Sequence, residues 1–476
     1  VRKAENVVSA GVNSVRRKDW LEANGFLSSM MTALSPDKIT MLKGLLAASP
    51  DDVVRGLERA VCKEGSSGSL AAIGALIEHE VQMRSVRAHV LAPVKGLFRP
   101  RHADNRTAFP VPALSLLWKA LQADKPDWVK QAQDACYYID PDEPSPPVFD
   151  VLCSRAAGGL RAGDKPEYLA VVSMLEADRR GSTQSLILAL DLAPIVRPPL
   201  LKLTDWLQRM SDERRASARI AYKDSGAAGE GGGPLMFEML AAHLKHPFQI
   251  LRVVSAIMDH PGERYLAASE LAPFGERAID AIEAQVTLVK TLRPGTGVGA
   301  AEQAAQAVQA AVETITELDQ SVQLYRDGPW GQRVVKLKQG LASTVEQRLF
   351  EIEEAVALAL PMQKLRYSAR LVSTAPKLDE PPSDGALQLA TGLLTFSEAV
   401  RGCANEGGFA GARSKVHETV GIRIDRYVED VLEQIRLGDA IDIQRAHEFL
   451  DVAAQLMSLV RDRKAGGVVR RRAAAA

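Results

Sequence analysis

The sequence predicts an all-α fold of stacked helical hairpins, solenoid-like or bundled, followed by a longer antiparallel helical hairpin and a C-terminal helical bundle. Three observations lead there. Helix-opening grammar recurs 40 residues apart, in Ala123-Asp124-Lys125-Pro126-Asp127-Trp128-Val129 and Gly163-Asp164-Lys165-Pro166-Glu167-Tyr168-Leu169. Each sets an Asp where it can cap a first turn, a Pro where the N–H groups lack partners, then a carboxylate and an aromatic anchor. Apolar residues recur at helical period along most of the chain, with few alternating β-branched runs. Aromatics make up only 5% of residues while Ala and aliphatics abound, which suits close-packed helices better than sandwiches or barrels.

Taken in order, residues 1–105 form an N-terminal helical domain. Ser35-Pro36-Asp37-Lys38 and Ser49-Pro50-Asp51-Asp52 each announce a helix, with a capping hydroxyl, a Pro and carboxylates where the helix dipole favours them. Upstream, the acid-aromatic-aliphatic signal appears at Asp19-Trp20-Leu21, and again later at Asp205-Trp206-Leu207. The stretch Lys18-Asp19-Trp20-Leu21-Glu22-Ala23, running on to Phe26, Met30 and Pro36, resembles the second helix of a tetratricopeptide-type repeat. The resemblance covers about 20 residues and implies a concave peptide-binding surface; it carries over no ligand-contacting residue.

Residues 106–223 read as an array of helical hairpins, with the Pro-rich run from Asp140 to Pro147 as an exposed connection between two of them. Residues 224–234, Asp-Ser-Gly-Ala-Ala-Gly-Glu-Gly-Gly-Gly-Pro, read as a Gly-rich flexible linker. A helical segment follows over 235–298. The clearest seam runs through Val308, Val312, Ile315, Leu318, Val322 and Tyr325, and resumes from Val334 to Val356 after the turn at Asp327-Gly328-Pro329. It predicts a long antiparallel hairpin over 299–375 that offers a surface for self-association. A Pro-rich linker, 376–386, then precedes a C-terminal helical bundle over 387–464, and 465–476 reads as a basic disordered tail.

Lys plus Arg equals Asp plus Glu, 59 each, which argues against a globally basic nucleic-acid binder and against an acidic disordered chain. The four cysteines, Cys62, Cys136, Cys153 and Cys403, form no Cys-x-x-Cys pair and read as buried free thiols of a reducing compartment. The first residues lack the apolar run of a secretory signal. The most apolar stretch, Leu186 to Leu201, is broken by Asp191, Arg197 and three prolines, so no membrane insertion is expected. The expected location is cytoplasmic.

Strict catalytic motifs are missing. The sequence holds no Gly-Lys dipeptide of a P-loop, no serine or cysteine flanked two residues away on both sides by glycine, and no Glu-x-x-His pair. Gly295-Thr296-Gly297-Val298-Gly299-Ala300 fits a dinucleotide fingerprint, but a helix rather than a strand precedes it, and a flexible interhelical turn explains it better. The serine of Ser35-x-x-Lys38 is better explained as an N-cap. One cluster remains, His243, His246, Asp259, His260 and Glu263, whose nitrogen and oxygen donors suit zinc, manganese or iron. The sequence thus leads first to a non-enzymatic α-helical scaffold or adaptor that binds other proteins and needs no cofactor. A metal-dependent helical hydrolase using that cluster comes second. A nucleic-acid-associated protein using the basic tail comes third.

Overall fold

The computed structural model describes residues 35–63, 69–100, 107–137, 139, 143–177, 183–258, 262–366, 372–438 and 442–476. Among these, twenty helices and one two-stranded β-hairpin make an all-α protein. The chain divides between Val253 and Val254 into two compact units. The tetratricopeptide-like stretch, including Asp19-Trp20-Leu21, lies outside the described residues.

In the first unit, α1 (Pro36–Ala48) and α2 (Asp51–Lys63) begin where the two Ser-Pro signals place them, although Ser35 makes no side-chain capping bond. Next come α3 (Ser69–Val90) and the short α4 (Ala92–Lys95), then two helix pairs: α5 (Val111–Asp124) with α6 (Pro126–Cys136), and α7 (Pro147–Ala162) with α8 (Pro166–Ala177). Helices α6 and α8 open at the prolines of the two similar stretches. Asp124, however, does not cap the helix after it. It ends α5, and its carboxylate accepts from the Lys165 ammonium and, at 3.5 Å, from the Tyr168 hydroxyl, so the two stretches meet where α5 packs on α8. The Tyr168 ring lies against Gly159 of α7, where any Cβ would collide with it. A glycine there is what lets the aromatic anchor bury completely.

Helix α9 (Thr183–Gln208) runs through the centre of this unit despite Pro194, Pro198 and Pro199, packing on α4, α7, α10 (Asp212–Ala228) and α11 (Gly232–Ala241). The segment 224–234, expected as a flexible linker, is therefore the end of one helix, a tight turn and the start of the next. Its small residues serve close packing: Ala218, Ala221 and Ser225 face inward, and Gly232 seats α11 directly against the Ser225 carbonyl, which a side chain would block.

In the second unit, α13 (Glu263–Ala267), α14 (Ala272–Thr291), α15 (Val298–Ser321) and α16 (Pro329–Ala359) follow a helix, α12 (Leu251–Ile257), that straddles the division. The expected 299–375 hairpin is corrected in two ways. Helices α15 and α16 are consecutive but touch little; their seams are filled by α14 and by α17 (Asp384–Ala399), because both seams are core stripes of one bundle. Val308, Val312, Leu318, Val345 and Leu349 are all buried within the unit, so the seam is not open to a second copy. Beyond Pro361 the chain turns to strand: β1 (Met362–Arg366) pairs antiparallel with β2 (Val372–Pro376), Met362 opposite Pro376 and Arg366 opposite Val372.

The 376–386 segment is tied rather than loose. Arg445 donates to the Leu378 and Asp379 carbonyls, at 3.4 and 2.5 Å, and Ser383 caps α17. Helix α17 packs on α15, α16 and α19 (Ile443–Val460), and α18 (Ala410–Leu437) closes the bundle on α16 and α19. The Gly295 turn is likewise packed: Gly392 of α17 lies so close to the Pro294 carbonyl that no Cβ fits. The C-terminal segment expected to be disordered is helix α20 (Arg463–Ala474), capped by Asp462 and seated on α19 with Gly466 against Ser458 and the Ala454 carbonyl. Among the described residues no helix is long and apolar enough to cross a membrane.

Candidate functional site

Of the five residues singled out from the sequence the structure describes three, His243, His246 and Glu263, and these do not group as ligands for a metal ion. Asp259 and His260 lie outside the described residues. His243 and His246 follow the end of α11 in a turn rather than sharing a helix face. The His243 imidazole is held below its ordinary pKa by desolvation, against the opposing pull of hydrogen bonds to the Ala92 and Pro93 backbone; His246 lies 5.5 Å from the Phe248 ring. Glu263 is fully buried, and its carboxylate is already engaged. One oxygen accepts from the Trp330 N–H at 2.6 Å, the other from Tyr325 at 3.0 Å and Gly331 at 3.3 Å. It thereby neutralises the start of α16, the role a local N-cap would otherwise fill. No group of three or more His, Cys, Asp or Glu among the described residues is placed to hold a metal ion.

Two further features that resemble catalytic chemistry resolve into packing. Ser397 Oγ sits 2.7 Å from His417 Nε2, and His417 Nδ1 sits 2.9 Å from the Val460 carbonyl. The serine is fully buried in α17 and the imidazole is oriented by a backbone carbonyl rather than an acid, so the pair ties α17, α18 and the end of α19 together. The thiols of Cys136, Cys153 and Cys403 are free; the Cys62 side chain lies outside the described residues. Burial pushes Cys136 up to about 11 and Cys153 up to about 12, which keeps both protonated and unreactive at neutral pH. Cys153 donates to the Val90 carbonyl, beside Arg197. That arginine, 4% exposed, spans Asp150 and the carbonyls of His89 and Val90 at the end of α3.

The chemically distinctive feature is a cleft of about 220 Å³ in the first unit, between α1, α3 and α5. Leu46, Leu76, Met83 and Trp118 form its apolar wall. Its polar lining is basic: Lys43 from α1, Arg84 and Arg87 from α3 and Lys119 from α5, against the single acid Glu80. Arg84 is committed to structure. Its Nε donates to Glu80 at 2.8 Å, one terminal nitrogen to Asp51 at 2.5 Å and the other to the Leu46 and Ser49 carbonyls, which fixes the end of α1 and the start of α2. Arg87, one turn further on, is held loosely, with Ser115 Oγ at 3.4 Å and Asp51 at 3.5 Å. Lys43 and Lys119 have no ion-pair partner among the described residues and are exposed.

Burial lowers the Arg87 pKa; the charges of Asp51 and Glu80 oppose it and Arg84 adds to the decrease. Burial and then Lys43 lower that of His79 at the rim, with Glu80 opposing. Sequence reading missed this site because three helices assemble it from residues 43 to 119; its only local trace is the Arg84-x-x-Arg87 spacing, which puts two guanidinium groups on one helix face.

Fold and cleft together define an all-α protein with a small basic cleft in its first unit. No family model matches the chain, no curated protein is similar to it, and no solved structure matches it.

Proposed function

We propose that this protein is an α-helical scaffold or adaptor that binds other proteins. The observation that supports the reading is the stacking of α5–α6 and α7–α8, two helix pairs whose similar openings meet through Asp124, Lys165 and Tyr168. We read them as successive units of one repeat, an architecture that offers continuous surface for partners while leaving few polar groups for chemistry. The free, protonated thiols suit a reducing cytoplasm. Two experiments decide the matter together. Cross-linking in extract of the source cell should yield a protein that co-elutes with this chain in stoichiometric amount, its cross-links falling on the first unit. Elution as a lone species, combined with metal-dependent phosphoester hydrolysis that is lost in His260→Ala, would overturn the reading in favour of the hydrolase.

A further inference from the structure

We propose that the cleft between α1, α3 and α5 binds a phosphomonoester, held by Lys43, Arg87 and Lys119. The proposal rests on the scaffold reading only for where the phosphate comes from. The volume of about 220 Å³ falls short of the roughly 300–1,000 Å³ of a whole small-molecule pocket, so the space suits a charged group and its first atoms rather than a complete cofactor. Charge selects the group. Four cations, Lys43, Arg84, Arg87 and Lys119, line the cleft from three helices against Glu80 in the lining and Asp51 beside Arg84 and Arg87, which leaves about two positive charges uncompensated. A carboxylate would answer half of that excess, whereas a phosphomonoester carries nearly two negative charges at neutral pH.

The donor set fits as well. Arg84 locks the backbone of α1 and α2 through its four acceptors and so holds α3 and α1 in register. Arg87 thereby lines the cleft, largely buried and with donor capacity left over, and a guanidinium there can grip two phosphate oxygens at once. Lys43 and Lys119 are exposed lining residues that supply point charges, and Ser115 and Gln122 of the same lining supply neutral hydrogen-bonding groups.

Calorimetric titration of the full chain at low ionic strength tests this, with inorganic phosphate, phenyl phosphate, acetate and a phosphoserine peptide beside its unphosphorylated form. Wild-type protein should bind the phosphates and the phosphopeptide. The double variant Lys43→Glu, Lys119→Glu, which changes only exposed side chains, should lose affinity by about tenfold or more, and Lys202→Glu, an exposed position of α9 outside the cleft lining, should not. Absence of phosphate binding by the wild type, equal binding by the double variant with its helical spectrum intact, or acetate binding as tightly as phosphate would each overturn the proposal. A phosphopeptide preferred by about tenfold over phenyl phosphate places the ligand on a partner protein and supports the scaffold reading. Equal affinity places it on a small molecule, keeps the site and counts against that reading. A silent titration beside a positive cross-linking result removes the site alone.

Discussion

At the scale of single residues, two buried charged side chains, Glu263 and Arg197, each answer several backbone groups of distant segments. Glu263 was grouped with metal donors because carboxylates near histidines invite that reading. In the fold it answers three backbone N–H groups of another segment. Glu263→Ala should lower unfolding free energy by about 3–5 kcal/mol in urea titration, since buried N–H groups then lose their acceptor with no water to replace it. Arg197→Leu should cost about 3 kcal/mol or more by the same measurement, because the end of α3 and Asp150 would be left unanswered. A loss below about 1 kcal/mol in either variant would contradict the burial described for that side chain.

At the scale of elements, the starts of helices were legible and their neighbours were not. Pro126 and Pro166 mark the openings of α6 and α8 because proline's missing N–H is harmless only there. The heptad-like seam from Val308 to Val356 marks two real helices, but a stripe of apolar residues does not say which helix will cover it, and here α14 and α17 do. Two segments read as loose are packed. Glycine composition in 224–234 and basic charge in 465–476 signal flexibility, whereas Gly232 and Gly466 serve close approach to a neighbouring helix, a property set by the partner helix rather than by the local sequence. Helix α20 supplies the check. Arg470, Arg471 and Arg472 should resist trypsin while the helix is docked, helped by the pairing of Arg472 with Glu429 at 2.7 Å, and Gly466→Leu should expose them to rapid cleavage. Equal cleavage rates in the two proteins would mean that α20 is not docked.

At the scale of the whole molecule, the fold class was legible and the cleft was not. Period and composition add up over long windows, while a site assembled from Lys43, Arg87 and Lys119 leaves no pattern in sequence. Far-ultraviolet circular dichroism should be helix-dominated, and a strand content above about 15% would contradict the architecture. Acid should destabilise the protein in two stages. The His417 imidazole is held below its ordinary value of 6.5 by burial, despite the opposing bond to Val460, so its unfolded form takes up protons first. Stability contributed by neutral His417 is thus lost as pH falls from about 6.5 through the lower folded value; His79 and His243, lowered in the same way, share this limb, so His417→Gln should make it shallower. Asp124 acts lower down. Burial alone would raise its pKa, but the Lys165 hydrogen bond and the charges of Lys125 and Lys165 win and lower it. Its contribution is present above the unfolded value of 3.8 and disappears as pH falls through the folded one; Asp124→Asn should remove that limb.

The reach of Glu263 has a kinetic consequence. Its carboxylate finds Tyr325 across 62 positions of chain. Closing a loop of that length costs roughly 3–4 kcal/mol of chain entropy before any bond is made. Such a contact is expected to form after the helices it joins, and to be nearly absent from the folding transition state. Removing it should leave the refolding rate almost unchanged and accelerate unfolding instead, so the carboxylate acts mainly as a latch on the lifetime of the native bundle.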